Sequence, residues 1–212
     1  MRYGRGLRGL RRRRRPLYAA VGAVICVGLA LFWWWLSTAD GGSRAVKALE
    51  EATLPSWVDS RLIPVGNARS GRRLEDFSAV VIHYVGNPGT SAINNRHYFA
   101  KEDTTVSSHF VVGLEGEVVQ CLPLWERSAA SNHRNRDTIS IEVCHPDESG
   151  EFSAVTYAAL VRLTAWLCQV GGLDEQSVIR HYDVSGKECP VYYVRNEEAW
   201  QQFRTDVAAR LS

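Results

Sequence analysis

Leu17 to Leu36 is a run of twenty residues without a charged side chain, and eight arginines (Arg2, Arg5, Arg8 and Arg11 to Arg15) precede it with no acid among them. As a helix, such a run is long enough to cross about 30 Å of hydrocarbon. Trp33, Trp34 and Trp35 stand where the aromatic belt of a span would lie. The pattern predicts a single membrane-spanning helix over 17–36 behind a basic cytoplasmic tail, 1–16. Positively charged flanks stay on the cytoplasmic side, so residues 37–212 are expected outside the cell membrane. Secretion after cleavage is the alternative, because Ser37-Thr38-Ala39 offers a small-x-small site near Ala39, although signal-peptide cores usually run to only about 7–15 residues. Cys26 follows bulky Ile25, which speaks against lipid attachment and for simple packing in the membrane.

Beyond that run the composition is that of an ordinary folded domain. The 212-residue chain carries 25 basic and 23 acidic side chains, and setting aside the eight tail arginines leaves 17 against 23, a balance of −6. The remaining stretch of roughly 170 residues suffices for one domain with its own core. A disordered chain, a multi-pass membrane protein and a collagen-like or coiled-coil rod are excluded. The body holds no second basic cluster, so the arginine run reads as a topology signal and no nucleic-acid partner is expected.

Residues 37–60 read as stalk and lead-in, and 61–212 as the domain. Ser43 can cap a short helix, Arg44 to Thr53, that Pro55 stops. Leu54 to Glu75, rich in Pro, Gly, Arg and Ser, predicts an extended lead-in on the domain surface. Phe77 to Val85 (FSAVVIHYV) is a continuous apolar run of strand length, typical of a strand buried on both faces. A short helix follows over Ser91 to Ala100, then a hairpin of Val106 to Val112 and Glu117 to Leu122 around Leu114-Glu115-Gly116. Thr138 to Cys144 reads as another strand, Ser153 to Val170 as a long helix whose only strongly polar stripe is Arg162 and Gln169, and Val178 to Arg180 as a buried strand. A last helix starts at Asn196, with Glu197 and Glu198 in its first turn and Trp200, Phe203, Val207 and Leu211 facing inward. The alternation predicts an α/β domain, a central mixed β-sheet with helices on both faces.

His83 closes the first buried strand, where open α/β sheets commonly place ligands. Taken alone it would more simply be a hydrogen-bonded core histidine. The segment His181-Tyr182-Asp183-Val184-Ser185-Gly186-Lys187-Glu188-Cys189-Pro190 follows another short strand and puts an imidazole and a thiol on one loop. With His83 arriving from a separate strand end, the three would make a zinc site whose fourth position stays open, the arrangement of catalytic zinc. By itself Cys189 would be a small buried hydrophobe or half of a disulfide. The five cysteines are Cys26, Cys121, Cys144, Cys168 and Cys189. Without the membrane one and the candidate ligand an odd three remain, which argues against a complete disulfide framework and leaves one bridge, such as Cys121 with Cys144, open.

The stretches RLIPVGNARSGRRL, VVIHYVGNPGTSA, SSHFVVGLEGEVVQ, DTISIEVCH and VIRHYDVSGKECP together resemble the bacterial and phage N-acetylmuramoyl-L-alanine amidases, zinc-dependent cell-wall hydrolases that share a fold with peptidoglycan recognition proteins. The likeness spans about Arg61 to Tyr193, and HYDVSGKECP is its most specific block. The resemblance implies one zinc ion held by His83, His181 and Cys189, Glu142 of the ISIEV strand as general base, and Lys187 stabilising the oxyanion. It implies hydrolysis of the amide between N-acetylmuramic acid and L-alanine, with peptidoglycan or a muropeptide as substrate. From position alone, Glu142 could equally be a surface residue of an edge strand.

Two departures bear on the site. Ser108 precedes His109 where phage lysozymes of this type and many recognition proteins have a tyrosine, so the glutamate-based chemistry is favoured and His109 reads as a packed structural histidine. Ser131-Asn132-His133 stands where the family commonly has a tryptophan before the histidine, and His133 is placed along the substrate groove. His97 and His145 are expected at surface or loop positions. Three other functions share this framework: a non-catalytic peptidoglycan-binding module, which usually lacks the cysteine ligand, a membrane-tethered scaffold, and a zinc amidase acting on anhydro-muropeptides.

Overall fold

The computed structural model describes Met1 and residues 41–211. The arginine tail, the expected membrane helix over 17–36 and residues 37–40 lie outside these described residues. Six strands form one sheet: β1 (Val58–Ser60), β2 (Ala79–Tyr84), β3 (Phe110–Val112), β4 (Val118–Gln120), β5 (Thr138–Val143) and β6 (Val178–Arg180), in the spatial order β1-β4-β3-β5-β2-β6. The β3–β4 hairpin is antiparallel and the other neighbouring pairs are parallel. Among the described residues six α-helices accompany them: α1 (Gly41–Glu51), α2 (Ala92–Phe99), α3 (Ala154–Gly171), α4 (His181–Ser185), α5 (Val191–Arg195) and α6 (Glu197–Ala208).

Strand β2 lies between β5 and β6, with all its residues buried except the last. That is why its sequence is apolar without alternation. Side chains still alternate between the two faces. Val80 and Ile82 join Phe110, Val112, Ile139, Ile141 and Val143 in the larger core, with Leu160, Leu163 and Leu167 of α3, Trp200, Phe203 and Val207 of α6, and Val46 and Leu49 of α1. Each fully buried leucine of α3 contributes about 1.5–3 kcal/mol of apolar burial. On the other face a smaller core gathers Val111, Val119, Ile63, Ala92, Phe99 and Leu122. By the same alternation His83, next to Ile82, and Glu142, next to Ile141, fall on this second face, where the cover is thinner.

Local signals set the helix ends. Ser91 accepts from the Asn94 amide to start α2, and Ser153 accepts from the Thr156 amide to start α3. Gly172 ends α3 at φ 63°, a left-handed conformation that glycine adopts without a steric cost.

The mixed sheet with helices on both faces agrees with the sequence-based expectation, and β2, β5, β6, α2, α3 and α6 fall within a few residues of it. The lead-in differs. Val58–Ser60 pairs in parallel with Val118–Gln120 as an edge strand, and Ile63, Ala68 and Leu74 are buried, so this stretch completes the domain instead of wrapping its surface. The first helix starts earlier than expected, at Gly41. Cys121 and Cys144 are both buried free thiols, so no bridge joins them.

Candidate metal centre

Three side chains converge at the carboxyl ends of β2 and β6, where a parallel sheet opens to a ligand. His83 is the fifth residue of β2. His181 is the first residue of α4, directly after β6, so the expected loop begins as a helical turn. Asp183 accepts from the Arg180 amide at 2.8 Å and starts that turn. The Arg180 guanidinium then binds Asp183 at 3.0 Å, the Tyr193 carbonyl at 2.9 Å and Glu197 at 2.7 Å, tying α4, α5 and α6 to one cation. The turn closes at Gly186, φ 76°, and the Tyr182 amide donates to the Cys189 carbonyl at 3.0 Å, which returns Cys189 to the histidines.

One ligand atom from each of His83, His181 and Cys189 lies within 4.8 Å of the others, and all three residues are buried. His83 Nδ1 is 3.8 Å from Cys189 Sγ, close to the roughly 3.5 Å edge expected when bonds of about 2.0 and 2.3 Å meet at a tetrahedral ion. The outer nitrogens are occupied: His83 Nε2 is 3.1 Å from Ser131 Oγ, and His181 Nε2 donates to Asn132 Oδ1 at 2.7 Å. His181 Nδ1 is buried without a hydrogen-bond partner. Such an orphaned lone pair is costly unless something fills it.

The electrostatics suit a cation. Burial holds His83 well below the usual imidazole range, with the charges of His181 and Lys187 acting in the same direction, and burial lowers His181 too. Both therefore offer neutral imidazoles, the form that binds metal. Burial pushes the Cys189 thiol up to about 12, with Glu142 adding to the shift. A thiol so placed ionises only if positive charge arrives beside it. Two neutral imidazoles and one thiol suit a borderline-soft divalent ion such as zinc.

Glu142 lies directly across from His83 in the β2–β5 register. It sits in the middle of the sheet, not on an edge strand. Its Oε2 is buried and unpartnered, and burial raises the carboxyl to about 8, opposed by the charge of Lys187. A cation held by the three ligands would draw this carboxyl back toward its ionised form. Lys187 is exposed at the mouth. With His83, Glu142, His181, Cys189, Val106 and Ala129 among its walls, it lines a cavity of about 230 Å³.

The remaining histidines separate clearly. His109 is fully buried and structural, donating from Nε2 to the Glu126 carbonyl at 2.7 Å and accepting at Nδ1 from the Ser140 amide at 3.0 Å. His97 is exposed. His145 lies in the loop after β5, as expected, but is buried there, because it packs on Tyr84 with ring centroids 5.1 Å apart and binds the Asp147 carbonyl through Nδ1. His133 is exposed on the turn at 132–136 and is not among the residues lining the cavity. Sequence reasoning passed over Ser131 and Asn132 as partners of the histidines. Their one signal was the unusual Ser-Asn pair before His133.

Residues 73–192 match the family model Amidase_2, described as N-acetylmuramoyl-L-alanine amidase. Two curated relatives are similar in sequence. N-acetylmuramoyl-L-alanine amidase BlyA of Bacillus subtilis (strain 168) is 30% identical over 172 residues, a match that covers 71% of this chain and 46% of BlyA. N-acetylmuramoyl-L-alanine amidase CwlL of Bacillus licheniformis is 30% identical over 160 residues, covering 68% of this chain and 44% of CwlL. The chain thus spans about half the length of the curated relatives it matches. The solved catalytic domain of XlyA aligns with a TM-score of 0.63 at 29% identity, over 71% of this chain and 98% of that domain.

Proposed function

The chain belongs to the N-acetylmuramoyl-L-alanine amidase family, and from that membership we propose that it hydrolyses the amide between N-acetylmuramic acid and L-alanine in peptidoglycan, with one zinc ion held by His83, His181 and Cys189. The observation that carries the metal assignment is the convergence of those three buried ligand atoms, with the carboxyl of Glu142 beside them on the neighbouring strand.

Zinc bound there supplies a Lewis acid that polarises the scissile carbonyl and acidifies water. The protein's own groups do the rest. Glu142 takes a proton from the attacking water and returns it to the leaving nitrogen, a role open to it because a cation beside it would offset the effect of burial and favour its ionised form. Lys187, at the mouth of the same cavity, places a cation against the negative charge that develops on the carbonyl oxygen.

The domain is placed outside the cell membrane and tethered by a single helix over 17–36. The support is sequence alone: twenty uncharged residues, three tryptophans at their end and the arginines before them. The anchor then holds the enzyme beside its polymeric substrate.

The test is to purify the chain, measure bound metal and follow release of L-alanine amino termini from peptidoglycan with and without a chelator. About one zinc per chain and chelator-sensitive release are expected. Zinc without release on any muropeptide would remove the catalytic reading, and absence of zinc would remove the metal centre.

A further inference from the structure

A single dipeptide touches both histidines of the metal centre. Ser131 is fully buried, and its Oγ lies 3.1 Å from His83 Nε2. The next residue, Asn132, receives the Nε2 proton of His181 on its Oδ1 at 2.7 Å. An amide oxygen only accepts, so this contact puts the His181 proton on Nε2 and leaves the Nδ1 lone pair free. That Nδ1 is the atom the structure leaves buried and without a partner. His83 is turned the same way, with Nε2 on serine and Nδ1 toward Cys189 Sγ. The two rings end 4.6 Å apart at 56° to each other.

The backbone is shaped for this contact. Among the described residues Asn132 alone, apart from glycines, has a positive φ, 53°. Asparagine tolerates that region better than most other side chains. The turn is fastened from behind: Asn135 Oδ1 accepts from the amides of Ala130 at 3.1 Å and Ser131 at 2.6 Å. Arg134 reaches Asp137 at 2.9 Å and Ser78 Oγ at 3.0 Å, and Thr138 Oγ1 donates to the Arg134 carbonyl at 2.7 Å, rooting the turn at the first residue of β5.

We infer that Ser131 and Asn132 are positioning residues that act as one clamp, Asn132 fixing the tautomer of His181 and the pair fixing the ring orientation of both histidines, so that their Nδ1 atoms face a common metal ion. They are not ligands themselves. The inference rests on the metal-centre reading above and adds which residues set its affinity. Hydrogen bonds to the outer nitrogen of a ligating histidine orient the ring and raise its basicity, and losing one typically weakens metal binding about 10- to 100-fold.

The test uses the full-length chain as wild type, Asn132→Gly, Asn132→Asp and Ser131→Ala. Zinc affinity is read by competition with a chromophoric chelator, ligand geometry by the visible absorption of the cobalt(II)-loaded protein, and folding by thermal unfolding without metal. Glycine accepts the positive φ and removes only the amide, so metal-free unfolding should stay at the wild-type temperature while zinc affinity falls by about 10- to 100-fold and the cobalt bands shift. Ser131→Ala should weaken zinc to a similar degree. Asn132→Asp keeps an acceptor for Nε2 and should retain zinc close to the wild-type affinity. Wild-type affinity and unshifted cobalt bands in the glycine variant would overturn the clamp and leave the metal centre standing. So would an aspartate variant as weak as the glycine one. A wild-type protein that binds no zinc would overturn the centre itself, and the clamp with it.

Discussion

His83 of β2 and Glu142 of β5 are register partners in adjacent parallel strands, and both side chains fall on the thinly covered face of the sheet. Period-two alternation assigns Ile82 and Ile141 to the large core and these two residues to the opposite side. Packing of the hydrophobic core therefore fixes the spacing between a proposed metal ligand and the proposed base. Glu142→Gln keeps the shape and removes the proton acceptor. The variant should retain its zinc and lose about 10²- to 10⁴-fold in turnover, read as release of L-alanine amino termini beside a metal determination. Near-normal turnover would remove Glu142 as base.

Cys189 is the one soft donor in the set, and its thiol stands at about 12 without a cation beside it. Cys189→Ser replaces it with a hydroxyl that is a poorer zinc ligand and should lose metal and activity together. Purified variant protein that still carries one equivalent of zinc would show that the thiol is not a ligand.

Legibility from sequence followed the strength of local patterning. FSAVVIHYV could be read as a central strand because both its faces are buried, and the β3–β4 hairpin because a Gly-containing turn separates two apolar runs. Edge strand β1 gave no such signal. It has three residues, two of them exposed, and it exists because β4 offers a free edge. The five-residue helices α4 and α5 are too short to carry a period. At the site, HYDVSGKECP carried His181, Lys187 and Cys189 through its resemblance to a family, while Ser131 and Asn132 stayed hidden. Their contacts depend on where a turn lands in space, and on a left-handed residue that only the folded backbone reveals. The burial of His145 was hidden for the same reason, since it depends on Tyr84 from another strand.

Helix α3 offers a test of the packing. Leu163 is fully buried against the sheet, whereas Val155 on the same helix is 48% exposed. Leu163→Ala should cost about 2–5 kcal/mol in denaturant unfolding. Val155→Ala should change stability by less than about 0.5 kcal/mol. Equal losses at the two positions would contradict the assignment of the covered face.

The topology proposal has its own check. A reporter fused after Ser212 that is active only outside the cytoplasm should give signal in intact cells, and replacing the five arginines Arg11 to Arg15 with glutamate should reduce it, since basic flanks set orientation. A reporter active only in the cytoplasm would reverse the proposal.

His109 carries the pH prediction, because it is buried, structural and separate from the ligand set. Burial lowers its imidazole to about 4, against an ordinary value of 6.5. As pH falls from 6.5 toward 4, the unfolded chain takes up a proton that the folded protein refuses, so stability is lost across that window and is fully present above it. At about 1.4 kcal/mol for each pH unit of displacement, the loss comes to about 3 kcal/mol. Other buried groups titrate as well, and the informative quantity is therefore the difference from His109→Gln, which cannot be protonated. Whatever glutamine costs at pH 7, the wild-type advantage over it should shrink by about 3 kcal/mol by pH 4 in denaturant unfolding. An advantage independent of pH would mean that the imidazole is charged, or equally protonated, in both states, and the pair of bonds to the Glu126 carbonyl and the Ser140 amide would have to be reassigned.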